Sequence, residues 1–84
     1  MALEYIEPSV WREPVYIRIG FGASEMVEGP VVALDYLRRR WPSERGPAYN
    51  AAVIACQSAI EGKVDLMQAR DDFAAAAREA YLLS

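Results

Sequence analysis

Histidine is absent from this chain of 84 residues, and cysteine occurs once, at Cys56. Without histidine the chain lacks the commonest general base, the side chain that titrates near neutral pH, and the commonest metal ligand. Ser-His and Cys-His catalytic pairs and His-Cys zinc sites are therefore excluded within one chain, and neither a metal nor another cofactor is expected. A lone cysteine cannot close an intramolecular disulfide, so the pattern is not that of a stapled secreted scaffold, and a reducing cytoplasm is the expected compartment. Long apolar runs are missing too. The longest, Ala51 to Cys56, falls far short of the roughly 18 residues a membrane span needs, and Glu4 and Glu7 stand where a signal peptide would carry basic residues. No membrane partner is expected. Positive charge is scarce: nine basic against twelve acidic residues leave a net charge of -3, the wrong sign for a protein that lives on phosphate backbones.

What is present suits one small folded domain spanning residues 1–84. A hydrophobic fraction of 54% with 25% charged residues is ordinary for a globular domain and far from the signature of disorder. Residues 1–13 read as an N-terminal arm. From Val15 a period-two pattern begins, with Val15, Ile17, Ile19 and Phe21 alternating with Tyr16, Arg18 and Gly20, which predicts a strand with one buried face. Gly20, Gly22 and Ser24 supply turn chemistry, and Glu25–Glu28 reads as the return strand, so residues 14–28 form a β-hairpin whose Val27 joins the core.

Helices occupy residues 30–83. Gly29-Pro30 and Gly46-Pro47 each place a proline where a helix can accept it, at the first position. Ala33, Leu34, Leu37 and Trp41 give the first helix its apolar face before Pro42 stops it. On the second, Tyr49, Ala52, Val53, Cys56, Ala59 and Ile60 recur at helical spacing, and Gly62 provides a stop. Asp65 with Gln68 reads as a capping box opening the third helix, with Val64 as its hydrophobic staple. Its core face is Leu66, Ala69, Phe73, Ala76, Ala77 and Ala80, rich enough in alanine to imply close approach to a neighbouring helix. The expected fold class is α+β: an N-terminal antiparallel hairpin packed against three α-helices. A hairpin leaves open backbone edges, and two candidates could cover one: Leu3 to Ile6 as a third edge strand, or a second copy of the chain in a homodimer.

The order Trp11, Pro14-Val15, Gly29-Pro30, Ala33-Leu34, Leu37, Trp41-Pro42, Gly46, Ala52, Cys56, Ala59, Gly62, Ala69-Arg70, Phe73, Ala76 and Ala80 resembles the small bacterial family known as domain of unknown function 982. The resemblance runs from Trp11 to about Tyr81 and implies a stand-alone small domain. It carries over no activity, ligand or site residue. One departure concerns the position before the Ala-Leu pair, where the family pattern has a polar residue, often Glu, and this chain has Val32.

Arg38, Arg39, Arg40 and Arg45 form the main basic cluster. Arginine forks recognise phosphate bidentately, and Tyr36 or Trp41 could stack on a base, so the cluster is the candidate anion or nucleic-acid site. The competing reading is structural: cations in a helix's last turn favour its negative end, and Asp35 lies within reach of Arg38 and Arg39. Arg70, flanking the third helix's apolar stripe, is either a fifth anion ligand or a half-buried cation paired with a carboxylate such as Glu28 or Glu61. The helix starts at Gly29 and Gly46 could hold a phosphate, although helix initiation accounts for them. Cys56 reads as a buried inert thiol. Asp71 and Asp72 are adjacent on a helix and point apart, so they make no catalytic dyad. Tyr16, Arg18 and Val32 are the candidate interface residues. The leading functional expectation is a non-catalytic module for self-association or a protein partner, with an anion or nucleic-acid binder as the alternative.

Overall fold

Five elements are present in the computed structural model, which describes residues 10–43 and 45–84. They are strands β1 (Val15–Ile17) and β2 (Glu25–Val27) and helices α1 (Pro30–Arg39), α2 (Pro47–Ile60) and α3 (Leu66–Glu79). The strands pair antiparallel, with Val15 opposite Val27 and Ile17 opposite Glu25. The fold is α+β, as the alternation of hydrophobic periods implies. Leu3 to Ile6 lie outside the described residues.

Prolines open the first two helices, as the sequence implies. Gly29 and Gly46 precede α1 and α2 in extended conformation and contribute no side-chain cap. The fixed φ of Pro30 and Pro47 suits the first turn, where a missing N–H costs nothing. Gly62 ends α2 at φ 76°, the left-handed conformation that glycine adopts without steric penalty. The Asp65 capping box does not form. Asp65 makes no side-chain cap bond, and Gln68 Nε2 instead donates to Asp72 Oδ2 one turn on, at 3.2 Å. The i,i+4 partner on the helix surface outcompetes the reach back to the cap.

The core gathers around Phe73, which is fully buried and flanked by Trp41 and Trp11 at ring-centroid distances of 5.5 and 5.9 Å. Trp11, on the arm, thus belongs to the core, and its backbone N–H donates to Glu28 O at 2.7 Å, fastening the arm to the end of β2. Val15, Ile17 and Val27 close the core from the sheet, and Ala33, Leu34 and Leu37 close it from α1. Helices α2 and α3 pack against each other most extensively, through Ala52, Ala55, Cys56 and Ala59 on one side and Ala69, Ala76 and Ala77 on the other. Short side chains there let the two backbones approach.

The period-two pattern is longer than the strand it makes. Ile19 packs partly against the core, whereas Phe21 is fully exposed. The chain turns back at Gly20, whose φ is 65°, with Gly22 N–H bonded to Ile19 O at 3.3 Å. Phe21 therefore sits on the hairpin tip instead of the inward face. The edge of β1 is also covered differently. Leu83 bridges antiparallel to Ile17, Arg18 N–H donates to Leu82 O at 2.8 Å, and Ser84 N–H donates to Tyr16 O at 3.1 Å. The last three residues complete the sheet on that side.

Candidate functional site

The four clustered arginines do not converge. Arg38 donates to Gln57 Oε1 at 3.0 Å. Arg39 pairs with Asp35 across one turn at 3.1 Å, both side chains well exposed, so Asp35 serves Arg39 and not Arg38. Arg40, at the C-terminal cap of α1, turns toward the sheet and holds Glu25 with two bonds of 2.8 and 2.9 Å. Arg45 donates to the carbonyls of Pro42 and Trp41 and lies over the Tyr49 ring, 4.6 Å from its centroid. Arg38 and Arg39 share a shallow cleft of about 240 Å³ with Val31, Leu34, Asp35 and Ile60. Arg45 lines another of about 310 Å³ with Pro42, Gly46, Glu79, Ala80 and Tyr81. Each of the four therefore spends part of its guanidinium on a different intramolecular partner, and no two share one.

Arg70 is half-buried as expected but pairs elsewhere. Its Nε donates to the backbone oxygen of Glu13 at 2.6 Å, and its outer nitrogens lie 3.9 Å from the Glu13 and Asp71 carboxylates. It bolts the approach to β1 onto α3, a role that neither Glu28 nor Glu61 could give it.

The start of α2 already holds an anion. Glu79, at the end of α3, accepts hydrogen bonds from the Ala48 and Tyr49 N–H groups, both at 3.2 Å. The carboxylate thereby satisfies the Ala48 N–H and shares the Tyr49 N–H with Gly46 O, 3.1 Å from that nitrogen, at the helix's positive end. No local signal announces this cap, because Glu79 is 30 residues from Tyr49.

Titration is shifted at two places that bear on chemistry. Arg40 first, and the Tyr36 hydroxyl donating at 2.5 Å second, lower the Glu25 carboxyl to about 2. The same bond to Glu25 raises Tyr36, and Arg40 lies over the Tyr36 ring 4.8 Å from its centroid. A carboxylate held this far down is a poor base, and a tyrosine held up is a poor acid near neutrality. The triad instead ties β2 to the end of α1. Burial pushes the Cys56 thiol up to about 12, far from the lowered values of reactive cysteines. Among the described residues no group of three acidic or cysteine side chains is placed to hold a metal ion.

The outer face of the hairpin presents exposed apolar side chains. Tyr16 and Met26 are cross-strand partners on the face turned away from the helices, 48% and 49% exposed, with the Tyr16 hydroxyl 3.7 Å from Met26 Sδ. Alternation along β1 puts Arg18 on the same side as Tyr16. Val32, 36% exposed, stands apart on α1, four residues before Tyr36. Met26 and Phe21 join Tyr16 as exposed apolar groups that the sequence pattern did not mark.

The family model described as "Protein of unknown function (DUF982)" matches residues 13–84. The chain belongs to this family. The DUF982 match takes in Tyr16, Arg18, Val32, all four clustered arginines and Arg70. The NMR structure of the Agrobacterium tumefaciens protein Atu1219 is similar, with 30% sequence identity and a TM-score of 0.78 over 100% of this chain and 86% of that one. No curated protein matches. Membership therefore assigns a family fold and no activity, and no helix among the described residues is long and apolar enough to cross a membrane.

Proposed function

We propose that this DUF982 chain is a non-catalytic interaction module, acting in the cytoplasm through self-association or with a protein partner. The observation that supports it is the uncovered outer face of the hairpin, where Tyr16 and Met26 are each about half exposed beside Arg18, with Phe21 projecting from the tip. Aromatic residues, methionine and arginine are the types enriched where protein surfaces meet. The anion-binding alternative has weaker support, because Arg38, Arg39, Arg40 and Arg45 each have a partner in their own chain.

Light scattering coupled to size exclusion tests the self-association arm at tens of micromolar, on the wild type and on a Tyr16→Ser, Phe21→Ser, Met26→Ser variant. The wild type should gain mass with concentration and the variant should remain a monomer with unchanged circular dichroism. A monomer mass for both at every concentration would remove self-association through this face. Oligonucleotide binding that falls steeply with salt would favour the anion reading.

A further inference from the structure

Helices α2 and α3 end in the same way with different residues. In both, the chain reverses through a left-handed residue and two N–H groups return to the last turn. At α2 the reversing residue is Gly62, with Lys63 N–H on Ser58 O at 2.8 Å and Gly62 N–H on Ala59 O at 3.0 Å. At α3 it is Tyr81, at φ 61°, with Leu82 N–H on Ala77 O at 2.8 Å and Tyr81 N–H on Arg78 O at 3.1 Å. A side chain in this conformation crowds its Cβ against backbone. Tyr81 is 94% exposed, so little packing of its ring offsets the strain. Residues 82–84 hold the reversal in place. Leu82 is buried, Leu82 and Ser84 bond to β1, and the Ser84 hydroxyl lies 2.6 Å from that of Ser24.

We propose that the edge of β1 is an interaction surface whose partner is the Leu82–Ser84 segment of a second copy, so that two chains exchange these segments in a symmetric dimer. This deepens the self-association reading and rests on it. The occupant is dictated by the closed chain itself: every contact the edge makes with its own segment is reproduced by an identical segment arriving from outside. What differs is Tyr81, which leaves the left-handed region when α3 runs on instead of reversing. Exchange thus conserves the contacts of the edge, trades the two bonds of the reversal for those of a continued helix, releases strain at two hinges, and is opposed by the loss of independent motion on association, which concentration offsets. The edge of β2 is less suited to a partner strand, since Trp11 already occupies Glu28 O.

The Ser24–Ser84 contact supplies the test. In a Ser24→Cys, Ser84→Cys chain the two introduced thiols face each other within one molecule when closed and between molecules when exchanged, while Cys56 is buried. The chain is equilibrated at about 1 mM or about 10 μM, concentrations either side of the upper micromolar range of modest affinities, oxidised, and read by light scattering and a non-reducing gel. A disulfide-linked dimer should grow with concentration. Tyr81→Gly in the same background should lower the dimerisation constant about fivefold per hinge and roughly 25-fold overall, whereas Tyr81→Ala, which keeps the strain without the ring, should dimerise like the parent. A dimer whose disulfides stay within each chain overturns exchange and leaves self-association standing. Monomers alone at both concentrations overturn both, and a Tyr81→Gly chain that dimerises as well as the parent overturns the role of the hinge.

Discussion

Replacing Gly46 by alanine should destabilise the protein, and the same replacement should stabilise it once Glu79 has been removed. Gly46 has φ -112° and ψ -165°, a conformation open to any residue, so the backbone does not require glycine. What requires it is space. A Cβ there would lie 2.5 Å from Glu79 Oε2, 2.8 Å from its Cδ and 3.1 Å from Oε1. The carboxylate must swing away and give up its bonds to the Ala48 and Tyr49 N–H groups. Losing a helix cap costs about 1 kcal/mol, with a range of about 0.5–2, and withdrawing the negative charge from the positive end of α2 adds about 0.3–1 kcal/mol. Against this, alanine at a compatible glycine position contributes about 0.4–1 kcal/mol by restricting the unfolded chain. The net effect of Gly46→Ala is a loss of about 0.5–1.5 kcal/mol, or a fall of several degrees in Tm at about 4–8 °C per kcal/mol for a domain this size. In a Glu79→Ala background neither cap nor obstruction remains, and Gly46→Ala should raise Tm by about 2–8 °C. Circular dichroism melts of the four proteins give the coupling directly. Equal shifts of the same sign in both backgrounds would refute the claim that Gly46 exists to admit Glu79.

Phe73→Ala should cost about 3–5 kcal/mol, because the ring is fully buried between two tryptophans and its removal leaves a cavity; a fall in Tm of less than about 5 °C would contradict that packing. Cys56 should label with a thiol reagent far more slowly in the native protein than in denaturant, and rapid stoichiometric native labelling would contradict its burial. Glu25 titrates near 2 when folded, below its unfolded value, so its contribution is present above the unfolded pKa and is lost as pH falls through the folded one. Acid titration should therefore erode the wild type between about pH 4.5 and 2 more steeply than Glu25→Gln, and parallel curves would count against the Arg40 and Tyr36 bonds.

Much of the fold was legible because its signals are local. Proline fixes its own φ, so Gly29-Pro30 and Gly46-Pro47 located two helix starts without reference to anything distant. Glycine at 62 could adopt the left-handed turn on its own account, and alternation from Val15 revealed a strand whose inner face holds Val15 and Ile17. Alanine spacing on the third helix forecast its close approach to a neighbouring helix, which the fold shows to be α2. The same reasoning overextended the strand to Phe21, because periodicity continues past the residue at which the chain turns.

The candidate sites lay beyond such signals, since each was decided by which elements meet. Arg38, Arg39 and Arg40 are neighbours in sequence, but a helix turns successive side chains by about 100°, so one reached α2, one its own helix and one the sheet. Glu79 is an ordinary helical glutamate until α3 lies across the start of α2, and Arg70 found Glu13, 57 residues away, when β1 was laid against α3. The closing of β1 by Leu82–Ser84 depended on a reversal at Tyr81 that no turn residue marks. The sequence by itself determined where helices begin, which faces are apolar and that no histidine is available, because those arise from each residue's own backbone preference and side chain. Only the tertiary structure decided which charges pair, which helix end is capped and what covers the sheet edge, because these contacts join groups far apart in the chain, 30 residues for the cap and 60 for the serine pair, and exist only once the core has set the elements side by side.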